Sequence, residues 1–498
     1  MSLKTNLVKL YADFVAGQIR KWSTTAITDQ RFIRQNLLQQ AQSTRFGIDH
    51  DFAGIKDYSG FVNHIPIRDY EDFKPYIDRI LQGEENVLWK GKPSYLAKTS
   101  GTTSGIKYIP ISKESIPNHI GTAKAAMMNY ISQTGNVDIF KGKMVFLSGS
   151  PELESKANIF IGRLSGIVHH EMPAWIRPNK LPSYETNCIE DWESKLLAII
   201  SETRHQDMTL ISGIPPWVQM YFERLLQQSG KANIKELFPN FSLFMYGGVN
   251  FEPYRLQLET LIGGSVDSIE LYPASEGFIA FQNNISDPSL LLNTKSGIFF
   301  EFIPASEYYQ ATPPRLSLED VQIGVDYVIL ITNNAGLWSY NLGDTVRFTT
   351  LNPFKITVSG RIKHFISAFG EHVIGKEVEE AMRIVAAKYL LKVNEFTVSP
   401  QVNPSHGELP YHEWLIEFAD ESPHLNVISK ELDHAMIQQN IYYKDLRDGN
   451  ILQQLKISSL KKDSFIRYMK EEGKLGGQNK VPRLSNDRKI ADKLLSIQ

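Results

Sequence analysis

The residues with the most chemical capacity lie in one short run, Lys98-Thr99-Ser100-Gly101-Thr102-Thr103-Ser104-Gly105-Ile106-Lys107, closed by Pro110. Glycine lets a backbone turn its N–H groups toward an anion at close range, Ser and Thr add hydroxyl donors, and a lysine supplies a compact positive charge. That combination suits the phosphates of a nucleotide such as ATP. It is not a Walker loop, in which the lysine directly follows the second glycine, because Lys107 stands two residues past Gly105. A different nucleotide-binding fold is implied. Taken alone, the run also reads as a polar loop between two strands.

Four further segments accompany it. Tyr272-Pro273-Ala274-Ser275-Glu276-Gly277 follows a predicted strand over 268–271, at the position where open α/β sheets bind ligands. Tyr272 can stack on a purine, and Glu276 can hold Mg²⁺ through its oxygens. In Tyr340-Asn341-Leu342-Gly343-Asp344, the aspartate can accept bonds from two neighbouring ribose hydroxyls. Gly360-Arg361-Ile362-Lys363, followed by Gly370-Glu371, lies at a hinge-like change of character, and Gln478-Asn479-Lys480-Val481-Pro482-Arg483 lies near the C-terminus. Each has a plain reading as well: a turn for the hexapeptide, a solvated tail for Lys480. Their order along the chain is what carries weight.

In that order the segments resemble the adenylate-forming superfamily of acyl-CoA synthetases, luciferases and peptide-synthetase adenylation domains. Within it, the chain looks like the Gretchen Hagen 3 family of acyl-acid amido synthetases, the auxin-responsive promoter family, from about Thr44-Arg45-Phe46-Gly47 to Arg483. The resemblance implies an α/β fold, with a large domain of mixed sheets and helices over 1–359 and a smaller, mobile α+β domain over 360–498. It implies a ligase that joins a carboxylic acid to ATP as an acyl-adenylate, releases pyrophosphate, and passes the acyl group to an amine such as an amino acid with loss of AMP. Ser100, Thr102, Thr103 and Lys107 would hold the β- and γ-phosphates, with Thr99, Gly101 and Gly105 completing the loop. Ser275 would donate to the α-phosphate, Glu276 would place Mg²⁺, and Tyr272, Pro273 and Ala274 would flank the nucleotide. Asp344 and Arg361, with Lys363 beside it, would fix the ribose side, Gly247-Gly248 would border the adenine, and Lys480 would approach the α-phosphate. Three departures stand out: Asn341 where the family commonly has arginine, a Gly360-Arg361-Ile362-Lys363 hinge closer to the wider superfamily, and His372 where plant members place a lysine.

The rest of the chain must position these groups. Its 498 residues call for two or three domains, and 42% hydrophobic with 22% charged residues describes an ordinary globular protein. A net charge of −2 gives no electrostatic reason to expect nucleic acid or an anionic membrane as partner, although the tail over 456–498 is basic, with 11 Lys/Arg against 5 Asp/Glu. The single cysteine, Cys188, excludes an internal disulfide framework and fits a cytoplasmic setting. The first 26 residues read as an amphipathic helix packed on the body, interrupted by charge too often for a secretory signal.

Residues 1 to about 85 read as a helical cap or flank, with 3.6-residue periodicity over 30–42 and 70–81. From about 95 to 350, short β-rich runs alternate with helical stretches, the pattern of an α/β domain with substantially parallel sheets. Ile214-Pro215-Pro216-Trp217 and the stretch 241–246 offer apolar and aromatic walls that suit an aryl or medium-chain acid. His169-His170-Glu171 lacks a third ligand at any metal spacing and reads as a loop or strand end. No Gly-x-Ser-x-Gly elbow or His-Glu-x-x-His motif is present. Two alternatives stay open at this point: transfer of the acyl group to a thiol of coenzyme A or a carrier, and an ATP-binding regulator without catalysis. Nothing in the sequence fixes the oligomeric state.

Overall fold

The computed structural model describes residues 3–100, 106–174, 176–248, 251–362, 365–366, 373–402, 404, 408–420, 424–448, 451–475, 480–485 and 487–497. Gly101, Thr102, Thr103, Gly105, Lys363 and His372, with Gln478 and Asn479, lie outside the described residues. The chain divides into two compact units. The first comprises Met1–Ser212, Asn240–Gly248 and Asp267–Thr357, and the second Gly213–Pro239, Val249–Val266 and Val358–Gln498.

The strands of the first unit are, in chain order, β1 (Tyr95–Ser100), β2 (Ile106–Ile111), β3 (Lys143–Phe146), β4 (Glu154–Lys156), β5 (Ile159–Arg163), β6 (Lys180–Leu181), β7 (Met208–Ser212), β8 (Leu243–Gly247), β9 (Asp267–Ala274), β10 (Gly277–Asn284), β11 (Asp287–Leu292), β12 (Ile298–Pro304), β13 (Asp326–Asn333), β14 (Tyr340–Leu351) and β15 (Phe354–Arg361, whose end passes the 357/358 division). A four-stranded sheet runs β2-β1-β5-β4, and an 11-stranded sheet runs β12-β13-β14-β15-β11-β10-β9-β8-β7-β3-β6. In the larger sheet β9, β8, β7, β3 and β6 pair in parallel, whereas β9–β10, β10–β11, β11–β15, β13–β14 and β12–β13 are antiparallel. Parallel strands need a crossover, and the helix Trp192–Thr203 supplies the one from β6 to β7 on either side of β3, whereas two-residue turns join β9 to β10, β10 to β11 and β14 to β15 in the antiparallel half. β9 is therefore the strand at which the sheet changes character.

Both faces of the antiparallel half are covered. Ile279, Ala280, Leu290 and Leu292 pack with Phe299, Ile329 and Trp338 into a core that also takes Phe46, Phe61 and Phe73. Leu291, alternate to Leu290 and Leu292, packs on the other face with Phe278, Phe281 and with Ile19 and Ala126 from the helices Leu3–Ser23 and Ile116–Thr134, the register irregularity between Phe278 and Ala280 having set Ile279 and Ala280 on one face together. The period-2 geometry of a strand sends successive side chains to opposite faces, so each face demands its own apolar layer. The sequence reads residues 1–85 as a cap or flank; in the structure they contribute to both faces, Ile19 on one and the fully buried Phe46, Phe61 and Phe73 on the other.

Within that layer sits a buried ion pair. Glu301 of β12 is wholly enclosed and accepts from Arg315 Nε at 2.9 Å, from Arg315 Nη2 at 2.6 Å and from Ser339 Oγ at 2.7 Å. Arg315 Nη1 also donates to Val62 O at 3.1 Å, which ties the early helices to the sheet.

In the second unit, the strands Val393–Gln401 and Tyr411–Phe418 pair antiparallel, and Lys456–Leu460 pairs in parallel with the latter. The helices Gly375–Tyr389 and Leu425–Gln439 bury Val378, Met382, Val385, Leu432 and Met436 against Phe396 and Trp414. The C-terminal segment returns along Val393–Gln401: Val398 N donates to Arg483 O at 2.9 Å and Thr397 Oγ1 to Pro482 O at 2.7 Å. The buried Arg483 guanidinium pairs with Glu379 at 3.1 Å and also with Glu395 and the Tyr254 hydroxyl.

Removing one member of a buried pair leaves an uncompensated charge, at a cost of about 3–5 kcal/mol. Chemical denaturation of Arg315→Ala is expected to show a loss of that order, and the double change Arg315→Met with Glu301→Leu is expected to recover most of it.

Candidate functional site

Ala274 and Gly277 face each other across the β9–β10 ladder, so Ser275 and Glu276 form a two-residue hairpin turn. The sequence reading ends the preceding strand at 271. In the structure the strand runs on through Tyr272, Pro273 and Ala274 because β10 folds back on it, Tyr272 lying opposite Ala280 and Pro273 opposite Phe278. The turn is pinned from β13: the Asn333 side-chain amide donates to Glu276 O at 2.7 Å, while its carbonyl accepts from Ala335 N at 2.9 Å and Leu337 N at 3.1 Å.

β14 delivers the second element. Asn341 pairs with Leu330 and Thr345 with Val328, so Leu342, Gly343 and Asp344 together oppose Ile329. Such a bulge re-aims a side chain. Gly343 turns with φ +79°, a conformation suited to glycine, and Asn341 Oδ1 accepts from Gly343 N at 2.7 Å while its Nδ2 donates to the Tyr308 hydroxyl at 2.6 Å. Asn341 thus has a structural task in this chain, holding the bulge closed. The bulge carries Asp344 to Tyr272, whose hydroxyl donates to Asp344 Oδ2 at 2.6 Å.

Tyr340, two residues before the bulge begins to turn, is buried and its hydroxyl donates to the Glu276 carboxylate. Burial, with the charges of Glu276 and Asp69 beside it, pushes this phenol well above its ordinary value, so it stays a protonated donor. Tyr70 acts on the same phenol, and the Lys107 ammonium lies 5.6 Å from the Tyr70 ring centroid. Tyr70 also accepts from Tyr108 N at 2.9 Å. Lys107 faces Thr99 across the β1–β2 hairpin, where Ser100 ends β1.

The first unit therefore brings Lys107, Glu276, Tyr272 and Asp344 into one neighbourhood through Tyr70 and Tyr340. Ser275 is half-buried in the turn. Gly247 ends β8, and an added Cβ would lie 2.3 Å from Leu271 O, so the close approach of β9 is what demands glycine there; Gly248 follows with φ +85°. Arg361 and Lys480 belong to the second unit, where both are exposed. Phe241 and Phe244, offered by the sequence as pocket walls, are buried in the body, as is Trp217 of the helix Pro215–Ser229.

His169-His170-Glu171 proves to be the last turn of the helix Leu164–Glu171, not a loop or strand end. Each member is engaged elsewhere: His169 Nδ1 with Lys180 Nζ, His170 Nε2 with Pro151 O at 2.8 Å, and Glu171 with the Tyr95 hydroxyl at 2.6 Å. Among the described residues, no group of three or more His, Cys, Asp or Glu is arranged to hold a metal. No helix of the described residues is long and apolar enough to cross a membrane.

Sequence reasoning missed Asn333, Tyr70 and the supporting role of Tyr340, because each acts on a partner distant in sequence. It also missed the first turn of the helix Ile116–Thr134. There Asn118 accepts from Phe278 N at 2.6 Å and donates to Ser296 Oγ at 2.8 Å, fixing the start of β10. The next residue, His119, is 7% exposed, and its Nδ1 has no hydrogen-bond partner among the described residues. Burial pulls its imidazole down to about 4. A lone histidine carries no sequence signal for this.

Comparison with known proteins gives three family matches: the GH3 family N-terminal domain over residues 15–266, its central domain over 291–361 and its C-terminal domain over 376–489. The jasmonoyl-L-amino acid synthetase JAR6 of Nicotiana attenuata is 24% identical over 90% of this chain and 89% of its own. The indole-3-acetic acid-amido synthetase GH3.15 of Arabidopsis thaliana is 25% identical over 59% of this chain and 61% of its own. The solved structure of the AtGH3.15 acyl acid amido synthetase in complex with 2,4-DB superposes with a TM-score of 0.78 at 18% identity, covering 97% of this chain and 95% of that one. A 2-hydroxyisobutyryl-CoA ligase in the postadenylation state shares the fold with a TM-score of 0.59 at 11% identity, covering 97% and 91%.

His119 has a consequence for stability. Its folded-state value of about 4 lies below the ordinary 6.5, so the unfolded chain binds the extra proton between those values. The stability tied to a neutral His119 is present above about pH 6.5 and lost as pH falls toward 4, up to about 3 kcal/mol. Denaturation series from pH 7 to pH 4 are expected to show a shallower fall for His119→Leu than for the unaltered chain.

Proposed function

Because this chain belongs to the GH3 family, we propose that the β9–β10 turn and the β14 bulge form the nucleotide side of an acid-activating site. The chain is an ATP-dependent ligase that makes an acyl-adenylate and then a carbon–nitrogen bond. The Tyr272–Asp344 bond supports the reading most strongly, since it joins two of the segments that carry the family resemblance.

A carboxylate oxygen of the acid attacks the α-phosphorus, and the bond to the pyrophosphate leaving group breaks. The amine nitrogen then attacks the acyl carbon, loses a proton, and AMP departs with the electrons of the C–O bond. This chemistry depends on placement and charge neutralisation more than on a protein nucleophile. Asp344, oriented by Tyr272, would accept from the ribose hydroxyls. Lys107, with Thr99, Ser100, Gly101, Thr102, Thr103 and Gly105 of its loop, would take the β- and γ-phosphates, and Ser275 the α-phosphate. Gly247 and Gly248 would border the base, flanked by Pro273 and Ala274, and Arg361 with Lys363 would support the ribose side.

The donor set also fits Mg²⁺, which typically takes one or two carboxylates together with substrate phosphates. Glu276 supplies the carboxylate, and Tyr340 holds it by a hydrogen bond. A bound Mg²⁺ would neutralise phosphate charge. Lys480, on a segment anchored through Arg483, would stabilise charge at the α-phosphorus, and 360–498 would be the mobile domain that carries it. The partners are a small aryl or medium apolar carboxylic acid and an amino acid or other amine, in a cytoplasmic setting.

Pyrophosphate release from Mg-ATP, measured across aryl and aliphatic acids with mixed amino acids present, is expected to depend on the acid and to yield an amide in the mass spectrum. A thioester formed when coenzyme A is supplied instead would overturn the amine acceptor, and ATP binding without any turnover would overturn the enzyme. Lys480→Ala is expected to lose a hundredfold or more in pyrophosphate release, on the order of 3–4 kcal/mol, while ATP affinity falls much less. Asp344→Ala should instead weaken ATP binding itself, read by calorimetry.

A further inference from the structure

Two helices meet the C-terminal ends of the parallel strands with buried polar groups that the chemistry above does not use. The first is His119, on the helix Ile116–Thr134. Ala123, Met127 and Tyr130 share its face at helical spacing, and Met127 and Tyr130 pack against Met144, Leu210, Leu243 and Met245 of β3, β7 and β8. The far end of this helix lies at the strand starts: the Tyr130 hydroxyl donates to Asp267 Oδ2, at the first residue of β9, at 2.7 Å. Asn136 Nδ2 reaches Ser242 Oγ, just ahead of β8, at 3.1 Å. His119 precedes Tyr130 by about 16 Å of helix, at about 1.5 Å per residue. A strand of five residues such as β8 is about as long, so His119 stands toward the strands' C-terminal ends, beside the residue that clamps the start of β10.

The second is Ser165, in the first turn of the helix Leu164–Glu171, which packs against the helix Ile116–Thr134. Its Oγ is buried with no hydrogen-bond partner among the described residues. An added Cβ at Gly149, which follows the C-terminal end of β3, would lie 3.2 Å from this oxygen. Arg163, two residues earlier, is in register with Lys98 of β1, so Ser165 also adjoins the hairpin that carries Lys107.

We propose that His119 and Ser165 form a hydrogen-bonding subsite of the acid pocket, and that the acid activated by this enzyme carries a hydroxyl group remote from its carboxylate. The inference rests on the acid-activating reading above. Buried polar groups in folded proteins are nearly always partnered, and of the unpartnered ones among the described residues these two lie on helices packed together at the ligand-binding end of a parallel sheet, where a partner can arrive with the substrate. A hydroxyl both donates and accepts, so it satisfies either imidazole tautomer and the serine together. Burial keeps the His119 ring neutral near pH 7, which favours a neutral hydroxyl over a second carboxylate.

The test uses the full chain with Mg-ATP and mixed amino acids, and reads pyrophosphate release from matched acids: the ortho, meta and para hydroxybenzoates against benzoate, para-hydroxyphenylpropionate against phenylpropionate, and omega-hydroxyoctanoate against octanoate. At least one hydroxy acid is expected to exceed its deoxy partner by about tenfold or more in kcat/KM, because a site built for a hydroxyl rejects the analogue that lacks it. His119→Leu should bring that ratio close to one, with Ser165→Ala lowering it and His119→Asn keeping part of it. Melting curves establish which variants fold. Equal turnover of every pair by the unaltered enzyme overturns the subsite alone, as does an unchanged ratio in the folded variants. Absence of release with any acid overturns the adenylation reading and the subsite with it.

Discussion

The Tyr272 hydroxyl reaches Asp344 Oδ2 at 2.6 Å across a sequence separation of 72 residues. That contact exists only because two local irregularities occur in strands that are not neighbours in the sheet. The two-residue turn at Ser275-Glu276 sets where β9 stops, and the bulge at Leu342-Gly343-Asp344 re-aims the carboxylate. Each irregularity is held by an asparagine, Asn333 for the turn and Asn341 for the bulge. Side-chain amides can donate and accept at once, so one residue closes a turn and ties it to a neighbour.

The same region concentrates buried polar groups. Glu301 with Arg315, Asn118 with Phe278 and Ser296, and Tyr340 with Glu276 are satisfied pairings inside or beside an apolar core. Such pairings cost desolvation and return geometry, since a buried donor left unmet is expensive. His119 Nδ1 and Ser165 Oγ are among the buried atoms that have no partner within the described residues.

Much of the architecture was legible in the chain. The periodicity over 70–81 corresponds to the helix Tyr70–Leu81, capped by Asp69 and Asp72, and the apolar runs from 143 to 271 correspond to β3, β7, β8 and the start of β9. The segments that resemble the family were visible as strings. Their partners were not: no spacing rule links Glu276 to Tyr340, Tyr272 to Asp344 or Asn333 to the turn. The strand end at 271 was misplaced because the pairing with β10, not the propensity of Tyr-Pro-Ala, extends β9. The early helices read as a cap or flank because their apolar faces look alike whether they cover one face of a sheet or both, and His169-His170-Glu171 gave no sign of its helix.

The sequence by itself determined what is local: the helical and strand periods, the composition of a globular α/β chain, the glycine, hydroxyl and lysine content of the loop after β1, and the likeness to the GH3 family. These depend on residues within a few positions of one another, where backbone geometry and side-chain spacing act directly. Only the tertiary structure decided that β9 is where the sheet turns from antiparallel to parallel, that the bulge in β14 presents Asp344 to Tyr272, and that His119 Nδ1 and Ser165 Oγ are buried without hydrogen-bond partners among the described residues. Those outcomes depend on which strands pair and which faces are covered. They are set by burying apolar surface across the whole unit, a sum over distant residues that no short window of sequence contains.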